Sequence, residues 1–319
     1  MSTIALIILF NHRYDKNFET IEDIYRGRFS NIYHLVPFYD GGKENVIPVF
    51  GRSIFFESYI AQGFNVFFEQ RFKHYFIVAD DMIINPAINE TNYQDFLGLG
   101  DHQSFLPSLL PLHSINQFWI GNLSAYFYIK KQKYIESGRE LPTEDEAIKR
   151  FYRQGIEIKP FSRKELFGRF TLKIDSLGNK SRLILRILTR LRHPFTNKLY
   201  LPYPMVGSYS DIAIISSDTI KEFCHYCGVF GATGLFAEVA IPTALVLASK
   251  EKILTESQMS HKGRSFWQGK GAIFWKSELN DVKWLDNNFK NLDDILTNFP
   301  EECIYLHPVK LSKWSSKNS

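Results

Sequence analysis

Three cysteines in 319 residues leave almost nothing to build a disulfide framework with. An odd, sparse count fits a reducing compartment, and Cys224 and Cys227 form a C-x-x-C with no second pair to complete a zinc site, so they read as structural. Also missing is an apolar run of about 20 residues, the length a helix needs to cross a bilayer. The first apolar stretch, residues 2–10, is short and lacks a basic leading region and a cleavage site, so it reads as a buried strand and not as a leader. No internal repeat or low-complexity segment interrupts the chain. These absences exclude a disulfide scaffold, a helical membrane-spanning protein and a repeat array, and the expected location is cytoplasmic.

What is present is ordinary in bulk: 45% hydrophobic and 23% charged residues, as in a soluble globular protein. A chain of this length buries a core without help from metal or disulfides. Its 28 Phe and 16 Tyr read first as a Phe-rich core. Charge, by contrast, is unevenly placed. Residues 149–198 carry 14 Lys and Arg against Glu157, Glu165 and Asp175, a balance of +11, so a net +4 for the chain leaves −7 elsewhere. Inside this window, residues 180–192 place Arg182, Arg186 and Arg190 on one helical face and Leu183, Ile184, Ile187, Leu188 and Leu191 on another. Two readings of this basic amphipathic helix stay open: peripheral attachment to an anionic membrane surface, and packing of the apolar face on the core with the arginines solvated. Nucleic acid is not expected, since no binding motif and little aromatic interleaving accompany the charge.

Along the chain, residues 3–10, 31–38, 74–79, 211–216 and 302–306 read as strands, and 17–26, 55–72, 145–154 and 218–227 as helices, with Asp218 as a cap. A further helix begins near Phe236 and carries Glu238, with Pro242 either in its first turn or interrupting it. Residues 157–180 read as strands with glycine turns, and 260–267 as a basic, flexible loop around His261, Lys262 and Arg264. Strands alternating with helices predict an α/β fold with a mostly parallel sheet, in which ligands bind beyond the carboxyl ends of the strands. Polar residues stand at three such ends: Asn11, His12 and Arg13; Asp40; and Asp80 with Asp81.

The third end carries the chemistry. Tyr75-Phe76-Ile77-Val78-Ala79 is a hydrophobic strand that runs straight into Asp80-Asp81. Two carboxylates there suit a hard divalent cation, Mn²⁺ or Mg²⁺, with coordination positions left for a diphosphate. A turn acid pair is the plainer alternative. Further on stand Gly207, Glu238, and His307 with Lys310.

This order of features resembles the GT-A class of nucleotide-sugar glycosyltransferases: a Rossmann-like half, an acid motif ending a strand, a glycine-containing loop, an acid on a helix, and a late histidine. The resemblance spans most of the chain as an order of elements and is specific only over these short stretches. It implies one GT-A-like catalytic domain over 1–319, a mixed, mostly parallel Rossmann-type sheet flanked by helices. Within it, 1–100 would bind the nucleotide sugar, 101–200 would be a variable basic insertion, and 201–319 would bind the acceptor. Asp81 and His307 would hold the metal, with His261 as the competing histidine. Asn11, His12, Arg13, Asp40, Asp80, Gly207 and Lys310 would contact the donor, and Glu238 would be the general base of an inverting transfer, with Asp211 and Asp218 as rivals. The acceptor would be a glycan or a lipid-linked glycan, in surface polysaccharide synthesis. Two departures stand out: Ala79 replaces the first acid of the D-x-D motif, and Glu238 is a single acid where many relatives have Glu-Asp. The other readings are a sugar nucleotidyltransferase, against which the glycine-free loop Asn11-His12-Arg13-Tyr14 speaks, and a non-enzymatic peripheral membrane protein.

Overall fold

The computed structural model describes residues 3–115, 119–133, 135–167, 177–193, 195–266 and 282–314, with the side chains of 177–183 and 282–283 outside that description. Ten strands are present among these residues: β1 (Ile4–Leu9), β2 (Ile32–Pro37), β3 (Val46–Val49), β4 (His74–Ala79), β5 (Ile83–Ile84), β6 (Leu110–Pro111), β7 (Val206–Gly207), β8 (Ile212–Ser216), β9 (Lys262–Ser265) and β10 (Cys303–His307). The central sheet runs β3-β2-β1-β4-β8. Its first four strands are mutually parallel, and β8 lies antiparallel to β4. The fold is therefore α/β with a mixed, mostly parallel sheet flanked by helices.

The strands are continuous apolar runs because both faces are covered. Alternate residues point to opposite sides. Ala5, Ile7, Leu9, Tyr75, Ile77, Ala213 and Ile215 join one core cluster, which also takes in residues of the helices Phe56–Phe67, Ser217–Ala232 and Ala237–Ala248. Ile4, Leu6, Ile8, Phe76, Val78, Ile212 and Ile214 join the other, with the helix Asn17–Tyr25 and the small sheet β5-β10-β9. Cys224 and Cys227 are buried free thiols in the first cluster, which fits a structural role.

Register brings the functional ends together. Leu9 pairs with both Leu35 and Ala79, so β1, β2 and β4 finish near one level. The antiparallel β8 delivers its beginning to the same edge, where the Ala79 N–H donates to the Asp211 carbonyl over 2.9 Å. Immediately after Asp80 and Asp81, β5 pairs antiparallel with β10, setting Ile83 opposite Leu306. The Val309 N–H donates to the Asp81 carbonyl over 2.6 Å, which fixes the C-terminal segment against the acid pair.

Several sequence expectations are corrected. β3 was not foreseen; it is four residues long and contains Pro48, which suits its place at the sheet edge. The second helix ends at Phe67 and not at residue 72. Residues 157–180 are not strands where described: Arg163–Phe167 is a helix, and Leu177–Arg192 another. The first has a reciprocal cap, with the Ser162 N–H donating to Glu165 Oε2 (2.6 Å) and the Glu165 N–H donating to Ser162 Oγ (3.3 Å). Ser216 occupies the N-cap position expected of Asp218, whose carboxylate instead meets His102 Nδ1 at 2.5 Å. Residues 262–265 form the strand β9 alongside β10 and are not a loop. Among the described residues no helix is long and apolar enough to cross a membrane.

Candidate functional site

A cavity of about 390 Å³ opens at the carboxyl edge of the sheet, walled by Asn11, His12, Tyr14, Asp80, Asp81 and Lys310. β1 supplies the first three from the loop that follows it, β4 the two acids, and the segment after β10 the lysine. The acids are the closing residues of a buried strand, so both are largely buried, each 6% exposed.

Their partners differ. Asp81 Oδ1 lies 2.7 Å from His307 Nε2, and the Lys310 ammonium donates to Oδ2. Burial works against ionising Asp81, but the His307 and Lys310 charges outweigh it and hold its carboxyl well below the usual range. For His307 burial likewise opposes the charge, while Asp81 and Asp211 raise its pKa on balance. Its other ring nitrogen meets the Tyr209 hydroxyl. Among the described residues the Asp80 carboxylate has only a long hydrogen bond, from the Asn11 N–H at 3.4 Å. Burial and then the charge of Asp81 push Asp80 up to about 7.

Two further acids, Asp211 and Glu238, lie outside the cavity lining and are coupled to His307 by charge. Asp211, at the start of β8, is raised by burial, against the pull of His307. Glu238, in the first turn of the helix Ala237–Ala248, accepts from the Trp119 indole N–H (3.2 Å). Burial and then Asp211 push it up to about 8, although its side chain retains some exposure, as in a crevice wall. Three of these acids, Asp80, Asp211 and Glu238, sit above their ordinary pKa, chiefly through burial and then through a neighbouring carboxylate. The Asp80 carboxylate lines the cavity with only a long hydrogen bond among the described residues, so it is the oxygen donor open to a divalent cation. Among the described residues no three His, Cys, Asp or Glu side chains converge on one point. A cation would thus take the acid pair as its protein ligands and complete its oxygen shell with water or phosphate, as Mg²⁺ commonly does.

The remaining expected residues fall as follows. Arg13 and Asp40 pair with each other (Nη2 to Oδ1, 2.6 Å), and Arg13 also pairs with Asp15, so these residues stitch two strand-end loops together outside the cavity lining. Gly207 does not line the cavity either. A Cβ there would sit 3.0 Å from the side chains of Leu112 and Trp119, so the glycine makes room for the indole that holds Glu238. His307, and not His261, stands at the acid pair; His261 stacks on Phe96 with ring centroids 4.6 Å apart. Lys262 and Arg264 belong to β9, where Arg264 lies over the Trp284 ring at 4.1 Å. Asp218 is remote from the acids, paired with His102.

Tyr14, Tyr209 and Trp119 were missed. Tyr14 was legible as an aromatic in the polar loop after β1, and it packs edge-on to His12 with ring centroids 5.9 Å apart. Tyr209 and Trp119 gave no sequence signal, because each acts through a residue distant in the chain. Comparison of the chain with protein-family models, curated proteins and solved structures gives no significant match.

Proposed function

We propose that this chain is a metal-dependent glycosyltransferase of the GT-A type, transferring a sugar from a nucleotide-sugar donor to a glycan or lipid-linked acceptor. The observation that carries the reading is the acid pair at the carboxyl end of β4, set in a cavity wall with Lys310 on one side and Asn11, His12 and Tyr14 on the other. Sheet order and the arrival of His307 beside Asp81 support it.

In this reading Mn²⁺ or Mg²⁺, held by Asp80 and Asp81, neutralises charge on the departing nucleoside diphosphate. Asp80 is the more open ligand, since Asp81 already accepts from His307 and Lys310. Lys310 lies on the cavity and reaches a phosphate oxygen as a point charge. His12 and Tyr14 offer ring faces to the base. Glu238, coupled by charge to Asp211 and His307, takes the proton of the acceptor hydroxyl, which attacks the anomeric carbon as the diphosphate leaves with inversion.

The test is a thermal-shift series with nucleoside diphosphates and nucleotide sugars, with and without Mn²⁺, followed by a transfer assay. A metal-dependent rise in Tm is expected for the wild type, absent in Asp80→Asn, with sugar transfer lost in the same variant. No shift with any nucleotide, a shift indifferent to metal and to both Asp80→Asn and Asp81→Asn, or release of pyrophosphate from a sugar phosphate and a nucleoside triphosphate would overturn the reading.

A further inference from the structure

The helix Leu177–Arg192 is docked on the protein by the wrong side for its sequence. Leu185 packs against the core and Thr189 is buried, its hydroxyl donating to the Leu185 carbonyl over 2.8 Å. The end of the helix is pinned by the buried Arg163, which donates to the His193 carbonyl and to Asn197 Oδ1. Yet Ile184, Ile187, Leu188 and Leu191 are 57%, 50%, 55% and 71% exposed. They stand at i, i+3, i+4 and i+7, a strip about 100° wide at 100° per residue. Of the two readings left open for this helix, packing of the apolar face on the core does not hold for these four residues; the side chains of Arg182 and Leu183 lie outside the described residues. Phe195, just beyond the helix, is fully exposed. Arg190 and Arg192 are exposed on either flank of the strip.

We propose that this helix is a docking face for an anionic lipid bilayer. Its aliphatic strip enters the boundary between headgroups and acyl chains, while Arg190 and Arg192 reach lipid phosphates from either side. Charge complementarity selects this occupant. Residues 149–198 carry +11 along the sequence and the rest of the chain −7, so positive charge is concentrated in the segment that contains this helix. A second copy would bring the same arginines against themselves. A nucleic acid would use the arginines and leave four aliphatic side chains in water.

The experiment is co-sedimentation of the full chain with vesicles of phosphatidylcholine alone or with about 30% phosphatidylglycerol. Binding is expected only to the anionic vesicles and should weaken as salt is raised. Arg190→Gln with Arg192→Gln lowers the partition coefficient about 25-fold at low salt, at roughly a factor of five for each charge near the surface. Ile187→Ser with Leu188→Ser and Leu191→Ser lowers it at least about ten-fold, without change in Tm because these residues are exposed. Asp80→Asn binds as the wild type, so the outcome is separable from that of the proposed transferase activity. The proposal is overturned if anionic vesicles do not bind the chain, if the serine variant binds them unchanged, if a dimer dissociates in the serine variant, or if duplex DNA or RNA displaces the vesicles.

Discussion

Of the acids Asp80, Asp81, Asp211 and Glu238, Asp81 alone among the described residues pairs directly with both His307 and Lys310. Glu238 gives this imbalance a measurable consequence. Its folded-state pKa is raised to about 8 from an ordinary 4.5. Ionising it therefore costs folding free energy: the cost is absent below the ordinary value, grows as pH rises, and is complete above the folded value. The stability of Glu238→Gln relative to wild type should rise between about pH 4.5 and pH 8 and level off above that, as read from urea denaturation. A difference that stays constant with pH would show that Glu238 does not titrate in that window. As a general base, Glu238 also makes kcat/KM rise with pH, half-maximal near 8 and level above it. The glutamine variant should lose at least about 100-fold and flatten the profile.

At the scale of elements, the helix Phe56–Phe67 shows how packing overrides propensity. Gly63 sits in its interior, where glycine costs about 1 kcal/mol relative to alanine. A Cβ there would lie 2.5 Å from a methyl carbon of Leu35, a fully buried residue of β2. Gly63→Ala should therefore destabilise the protein by about 1–2 kcal/mol despite the better helix former, because overpacking outweighs the propensity gain. Increased stability in a urea titration would mean that Leu35 turns aside. The elements read best from sequence were those with strong periodicity or continuous burial, among them β4 and the helix Asn17–Tyr25. The reciprocal Ser162–Glu165 cap was legible as a Ser-x-x-Glu pattern and was overlooked in favour of strands. β3 was not legible, because four residues with a proline carry no periodic signal.

The molecule as a whole has two core clusters divided by one sheet. Each of β1, β4 and β8 contributes side chains to both, so neither cluster can be lost without exposing the back of the other's strands. A single cooperative transition is expected, with far-ultraviolet circular dichroism and tryptophan fluorescence giving the same midpoint. Two separate midpoints would show that the layers unfold independently. The same arrangement explains why the candidate site spans the chain: β1 and β4 bring Asn11, His12 and the acid pair, whereas β10 brings His307 from 226 positions away from Asp81.

The amino-acid sequence by itself determined the alternation of strands and helices, the strand that ends in Asp80-Asp81, and the charge concentrated between residues 149 and 198. These properties are local: continuous apolar runs, periodicity and counted charge. Only the tertiary structure decided that His307 and Lys310 neutralise Asp81 while Asp80 is left nearly unpartnered, that Trp119 holds Glu238, and that the aliphatic strip of the basic helix faces outward. Burial, counter-charge and the choice of which helix side docks depend on residues far apart in the chain, and no local pattern encodes them.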